Sequence, residues 1–308
     1  MKQRNIMQAL LAAGTLTICG CAGKPATENN SSEQAAAEKQ TAVADRPTVD
    51  SLAAPVTRMA TDSINLTDSV TVGGCKAVAS VKGLYPTDRS SRLADSVRVW
   101  IGESMATNMQ DTRESLFQPT AEELASGTAL AKRYVEAMLE QARCDFSGIE
   151  EQEVSTSYEY SCSFSPSFES DSLTTYSMGI YVYFGGAHGG VLGLEQTFVN
   201  NTGLRLTADN VFIPDSIPRL TGLLRRELWE QYFKEGTSEG ATLRDALLID
   251  PDSLRLPSAA PAFLADGVAF CYQQYEIACY AAGMPSCIIP YSEIRPMIRP
   301  SVRPLLPK

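Results

Sequence analysis

The chain of 308 residues holds a single histidine, His188. One imidazole cannot build the zinc sites with two or three histidines that hydrolases and deacetylases use. No two cysteines stand in a Cys-x-x-Cys spacing, which removes the thioredoxin-like redox pair and the zinc ribbon. The sequence also lacks a Gly-x-x-x-x-Gly-Lys phosphate loop, a Gly-x-Gly-x-x-Gly dinucleotide loop and a Gly-x-Ser-x-Gly nucleophile elbow. A Ser–His or Cys–His hydrolase would have to use His188. No cofactor and no metal is expected. Basic residues are few, 26 against 36 acidic ones, for a formal charge of −10. Phosphate backbones repel such a surface, so nucleic acid is not expected as a partner. Past the first twenty residues, no apolar run approaches the length of a membrane span.

The first twenty residues have a different character. Lys2 and Arg4 precede an apolar run from Ile6 to Ile18. As a helix, about 13 residues rise roughly 20 Å, short of a hydrocarbon core of about 30 Å. A basic start, a short apolar stretch and small residues form the secretory signal pattern. The ending Ile18-Cys19-Gly20-Cys21 resembles a lipobox, the site at which a bacterial lipoprotein is cut before a lipidated cysteine. Cutting before Cys19 would put the branched Ile18 where a small residue belongs, whereas cutting before Cys21 puts Gly20 there. A signal peptide over 1–20, a lipid on Cys21 and membrane attachment through that lipid are therefore expected. Residues 21–58 contain no aromatic side chain and few large aliphatics, and read as a flexible tether. Ala22-Gly23-Lys24-Pro25 lacks the acidic residues that follow the lipidated cysteine of many surface lipoproteins. The expected address is the cell envelope, at the outer membrane facing the periplasm.

About 250 residues remain, enough for a sizeable core. Alternating β-branched residues predict strands between Ser63 and Tyr85, and Leu93 to Met105 recur at helical spacing. Thr120 and Glu123 form a capping-box pattern ahead of a second helix carrying Leu124, Leu130, Tyr134, Met138 and Leu139. Strands follow over 154–164 and 173–184, then the glycine-rich Gly185–Gly190, a strand over 195–199 and the turn Asn200–Gly203. The longest helix is predicted over 218–234, capped by Asp215 or Ser216 with Pro218 in its first turn. Strands over 262–272 and 286–290 and a short helix over 292–298 complete the pattern. Helices and strands without regular alternation indicate an α+β fold, mainly antiparallel, with several packed helices. Two intertwined subdomains are expected, 59–172 and 173–308.

Six cysteines stand beyond the tether: Cys75, Cys144, Cys162, Cys271, Cys279 and Cys287. Outside the cytoplasm they are open to disulfide formation in any of fifteen complete pairings, or to burial as free thiols. The sequence leaves both open.

Three stretches carry a family resemblance. The first is Tyr183-Phe184-Gly185-Gly186-Ala187-His188 with Thr202-Gly203-Leu204-Arg205-Leu206-Thr207, ending in Asn210-Val211-Phe212. The second runs from Gly267 through Gln273-Gln274-Tyr275-Glu276-Ile277-Ala278, and the third from Gly283-Met284 to Ile289-Pro290-Tyr291, then Glu293-Ile294. They resemble a domain of unknown function in the extracellular part of RsiV-type, lysozyme-sensing anti-sigma factors, also found ahead of PdaC-type peptidoglycan deacetylases. The resemblance covers about residues 175–300. Gln274 and Cys279 replace prolines common in that family, and Cys271, Cys279 and Cys287 fall eight apart. No sigma-binding segment, transmembrane helix or deacetylase domain is evident, so neither signalling nor deacetylation is implied. The resemblance implies a non-catalytic binding module that recognises lysozyme-like proteins or peptidoglycan. The alternative is a cell-wall hydrolase working through a carboxylate pair, which 36 acidic residues leave open.

The binding candidates are His188, Glu276, Tyr275 and Tyr291. The glycines around His188 point first to a loop whose imidazole makes a structural hydrogen bond. Tyr275 and Tyr291 are expected as core or sheet-edge aromatics before ligand stackers. Glu276 stands between apolar neighbours and needs a partner if buried, with His188 or an arginine the candidates. Gly185, Gly186, Gly189 and Gly190 are expected to permit conformations that a Cβ forbids.

Overall fold

The computed structural model describes residues 58–107, 117–147, 156–235 and 237–307. The expected signal peptide, the lipidation site Cys21 and all of the tether but Arg58 lie outside these residues, as does the start of the strand expected from Val154.

The chain opens with a hairpin, β1 (Thr61–Val72) and β2 (Cys75–Pro86), paired residue for residue without a bulge. Gly73 turns it at φ 57°, a conformation that favours glycine. Two helices follow, α1 (Arg92–Thr107) and α2 (Gly127–Phe146), before the chain returns as β3 (Ser157–Glu169) parallel to β2. Strands β4 (Leu173–Tyr183), β5 (Gly190–Val199) and the short β6 (Arg205–Leu206) add on antiparallel. The result is a six-stranded sheet in the order β1-β2-β3-β4-β5-β6. The rest of the chain carries α3 (Ile217–Leu228), continued by a π-helical turn over Trp229–Phe233, and a three-stranded sheet of β7 (Ala262–Phe263), β8 (Gly267–Cys271) and β9 (Ser286–Pro290). This is the expected α+β fold with antiparallel pairing predominant.

One face of the large sheet is apolar and the other is not. Ala77, Ala79 and Val81 of β2, Tyr160, Cys162 and Phe164 of β3, and Tyr176, Met178 and Ile180 of β4 are buried with α1 and α2 in a first core. The alternate residues, among them Lys76, Lys82, Ser161 and Ser163, remain accessible. Pro166 stands inside β3, where a ladder N–H is normally required. The pairing slips there, between Pro166 and Phe168. That slip also reverses the faces, so Phe168 packs against a second core instead of the first. The second core holds Leu173 and Val199 of the large sheet, Leu220, Leu224 and Leu228 of α3, and Phe270, Cys287 and Ile289 of the small sheet. Position 172 falls in the β3–β4 hairpin, so strands on both sides of it share one sheet. All described residues belong to one compact unit.

A buried hydroxyl pair joins the two sheets. Thr175 and Thr197 lie opposite each other on β4 and β5, with their oxygens 2.8 Å apart. Thr175 donates to the Phe263 carbonyl at 2.6 Å, and the Thr197 oxygen accepts the Phe263 N–H at 2.9 Å. Thr197→Val is expected to orphan that buried N–H and lower stability by about 1–3 kcal/mol, read from urea unfolding.

Two helix starts differ from expectation. The Thr120–Glu123 capping box forms, but it caps only the turn Ala121–Leu124. The long helix begins anew at Gly127 with Ser126 as its cap, its oxygen accepting the Ala129 N–H at 3.3 Å. The cause is steric: the Cβ position of Gly127 lies 2.6 Å from the Tyr85 ring, and Tyr85 donates to the Leu124 carbonyl, fixing the break. At α3 neither Asp215 nor Ser216 provides a side-chain cap. A 3-10 turn over Pro214–Ser216 leads into the helix instead.

The cysteines stay apart. Cys144 and Cys279 are exposed free thiols, and Cys162, Cys271 and Cys287 are free as well. Burial pushes the Cys271 and Cys287 thiols up to about 12. Phe270 faces Cys287 across β8–β9 and Cys271 faces Ser286, so Cys271 and Cys287 project from opposite faces of the small sheet. The eightfold spacing therefore builds no bridge within it. Cys75 is buried in the first core. Among the described residues, no helix is long and apolar enough to cross a membrane.

Candidate functional site

The glycine loop and the segment after β8 meet at one end of the large sheet. β6 pairs only with Thr197 and Phe198, so the first half of β5 would be an open edge. Two glutamine side chains occupy it. The Gln273 amide accepts the Gly193 N–H at 3.1 Å and donates to the Gly193 carbonyl at 2.7 Å, and Gln274 accepts the Val191 N–H at 2.9 Å. Gln231, in the π-helical turn, treats Ile288 of the small sheet in the same way, accepting its N–H at 2.9 Å and donating to its carbonyl at 2.8 Å. The Gln273 and Gln231 amides each copy the donor–acceptor face of a neighbouring strand, whereas Gln274 only accepts and its buried amide nitrogen finds no partner.

Glu276 completes the anchoring. Its two oxygens accept the Ser258 N–H at 2.7 Å and the Gln273 N–H at 2.8 Å. The expected Glu276–His188 pair is therefore not made: backbone donors already hold the carboxylate, and the imidazole is engaged elsewhere. Residues 273, 274 and 276 are thus all pinned, and Tyr275 between them is not. Tyr275 adopts φ 64°, the only non-glycine residue to do so among those described, and is 46% exposed. A bulky residue there costs about 1–2 kcal/mol and persists only where its surroundings impose it. Tyr275 is accordingly neither a core nor a sheet-edge aromatic. Tyr291 does fit that expectation. Its hydroxyl donates to the Leu264 carbonyl at 2.7 Å, its ring packs on the second core, and burial raises its pKa.

His188 is exposed and stacks on Tyr280, with ring centroids 3.8 Å apart and planes inclined by 21°. Its Nδ1 lies 3.1 Å from the Gly189 carbonyl, which also accepts the Tyr280 hydroxyl at 3.0 Å. Tyr275 leans on the other ring of this group, 5.9 Å from Tyr280. Tyr181 closes the base: the Cβ position of Gly189 lies 2.4 Å from its ring. Burial and then the Glu159 carboxylate raise the Tyr181 pKa. The loop glycines thus divide into two kinds. Gly185 and Gly186 have φ of 80° and 92°, whereas Gly189 admits the Tyr181 ring and Gly190 needs neither.

The assembled feature is an aromatic ridge of Tyr275, Tyr280 and His188, standing on Tyr181 and held by Gln273, Gln274 and Glu276. It offers ring faces and hydroxyls to a ligand. Among the described residues, no cluster of three or more His, Cys, Asp or Glu side chains could hold a metal ion. Sequence reasoning reached His188 and Tyr275 but missed Tyr280 and Tyr181. The signal available was the run Gln273-Gln274-Tyr275-Glu276, polar side chains directly after a buried strand.

Residues 209–292 match DUF3298, a protein family of unknown function. The DUF3298 segment supplies α3, the small sheet and both Tyr275 and Tyr280, while His188 and Tyr181 precede it. Two solved structures share the wider architecture. A DUF3298 family member from Bacteroides fragilis superposes with a TM-score of 0.61 at 21% identity, covering 79% of this chain and 95% of the other. A DUF3298 family protein from Pseudomonas aeruginosa gives 0.53 at 14% identity, covering 82% and 98%. No curated protein matches the sequence. At these identities the likeness establishes the fold alone.

Proposed function

We propose that the protein is a non-catalytic binding lipoprotein of the bacterial cell envelope, held to a membrane through Cys21, and that the Tyr275–Tyr280–His188 ridge recognises a cationic, lysozyme-like protein. The observation that carries the reading is Tyr275: an exposed aromatic residue kept in a strained conformation by three pinned neighbours. Tyrosine anchors of this kind dominate protein interfaces. A formal charge of −10 supports a cationic partner, because opposite fields speed encounter. A second reading, the glycan of peptidoglycan, is favoured by the His188–Tyr280 stack, which presents a flat ring face.

Isothermal titration of the chain against hen egg-white lysozyme, at low and moderate salt, tests the first reading. Saturable one-to-one binding that survives moderate salt is expected. Tyr275→Ala should weaken it by about tenfold or more. Tyr275→Gly should weaken it equally while raising the unfolding midpoint, because glycine relieves the φ strain. Binding that disappears with modest salt, or no heat at all, overturns the reading. Co-sedimentation with purified peptidoglycan then decides the second. Palmitate labelling retained after Cys21→Ser would remove the anchor.

A further inference from the structure

The two sheets present three edges of consequence, and glutamine amides occupy two of them, Gln273 on β5 and Gln231 on β9. The third is β1, twelve residues long. Val72 and Cys75 close its hairpin as partners, so the even-numbered residues of β1 bond to β2 and the odd-numbered ones turn their N–H and carbonyl groups outward. Ser63, Asn65, Thr67, Ser69 and Thr71 are all exposed. Among the described residues, the only partner for these outward groups is the Asp68 carboxylate, which accepts the neighbouring Ser69 N–H at 2.7 Å. Of the usual protections of an edge strand, β1 has no proline, no lysine and no bulge, and its only charges are Asp62 and Asp68.

The side chains select an occupant. β1 carries two acids, Asp62 and Asp68, and no base. Paired antiparallel with a second copy about a two-fold axis at Thr67, it sets Ser63 opposite Thr71, Asn65 opposite Ser69 and Thr67 opposite itself, so hydroxyls and an amide meet on one face. On the other face Ile64 meets Val70, Asp62 meets Val72 and Asp68 meets Leu66, and no two acids are opposed. Shifting the axis to Asn65 places Asp62 against Asp68, and shifting it to Asp68 places that residue against its own copy, both unfavourable. An axis at Leu66 sets Ile64 against Asp68 and loses both Ile64–Val70 contacts.

We infer that β1 pairs with β1 of a second copy of this chain, antiparallel about Thr67, joining two six-stranded sheets into one of twelve. The contact is isologous and closes on itself, which limits the assembly to a dimer. Asp68 releases the Ser69 N–H when it forms. The pairing lies at the opposite end of the large sheet from the aromatic ridge, so the dimer leaves both ridges accessible. It stands or falls independently of what the ridge binds.

Sedimentation equilibrium of the full chain, with Cys19, Cys21, Cys144 and Cys279 replaced by serine, should give a concentration-dependent dimer. Thr67→Pro should give a monomer with an unchanged circular dichroism spectrum. The Thr67 N–H does not serve the β1–β2 ladder, and proline is tolerated on an edge. Thr67→Cys should cross-link to itself under mild oxidation, since the paired Cα atoms would stand about 5.5 Å apart, within disulfide reach. Ser63→Cys alone should not cross-link, whereas Ser63→Cys with Thr71→Cys should. A monomer at every concentration overturns the inference, and so does a dimer that survives Thr67→Pro or cross-links through Ser63→Cys alone.

Discussion

Titrated upward from neutral pH, the protein is expected to unfold in one step between about pH 11 and 13, with its tyrosines ionising together. Tyr85, Tyr160, Tyr176 and Tyr272 are all 2% exposed or less. Burial is the first cause of a strongly raised pKa at each of them. Arg98 beside Tyr85 offsets this only in part. The sign follows from linkage. A phenol whose folded pKa exceeds the unfolded value of about 10 keeps its proton in the folded state after the unfolded state has begun to lose it. Its stabilisation is complete below pH 10 and is lost as the pH climbs toward the folded value. Each such group removes about 1.4 kcal/mol per pH unit above 10. Four acting together consume a stability of roughly 5–15 kcal/mol within about one to three units. Absorbance of tyrosinate near the ultraviolet edge and far-ultraviolet circular dichroism should change at the same pH. Gradual ionisation of these four residues around pH 10, with the fold intact, would refute the argument.

Gly203→Ala should cost about 3 kcal/mol or more, among the largest effects of any single methyl group in the chain. Two independent penalties meet there. Gly203 turns β5 into β6 at φ 70°, which an alanine adopts only at a cost of about 1–2 kcal/mol. An added Cβ would also lie 2.5 Å from the Arg92 carbonyl oxygen and 2.5 Å from the Ser96 hydroxyl, in the first turns of α1. Arg205 holds the same turn to α1 through its ion pair with Glu103, so the turn has little room to retreat. Urea unfolding measures the loss. Gly186→Ala is the control, because its φ of 92° is also positive and its Cβ meets nothing. It should cost only the conformational part. Equal losses at the two positions would mean that contact with α1 is unimportant.

The regular elements were legible wherever one residue's neighbours along the chain decide its state. Alternation in β4 and the heptad-like stripe of α1 both appear in the structure within a few residues of their expected places. Failures came where a distant residue decides. The break at Ser126 is caused by Tyr85, forty residues earlier, and the motif glycines answer to contacts with Tyr181 and α1. The site shows the same limit. His188 and Tyr275 stood out locally, but their common partner Tyr280 looked like an ordinary tyrosine beside Cys279. Glu276 was expected to need a partner if buried; it is half-buried and accepts two backbone N–H groups. That the partners are backbone N–H groups of residues 258 and 273 depends on a turn no pattern announces.

The one parallel pairing in the large sheet has a kinetic consequence. Every other neighbouring pair of its strands can close as a hairpin or a short turn, but β2 and β3 are separated by 70 residues that include both α1 and α2. A loop of that length is slow to close, and its entropy is lost before the pairing returns any energy. During synthesis or export from the N-terminus, the β1–β2 hairpin therefore exists for a time with both of its edges bare and its apolar face uncovered. In that interval α1 can cover only β2, and α2, which packs across both β1 and β2, is the first element able to shield the two strands together, so folding yield should depend more on the helicity of residues 127–146 than on any strand that follows.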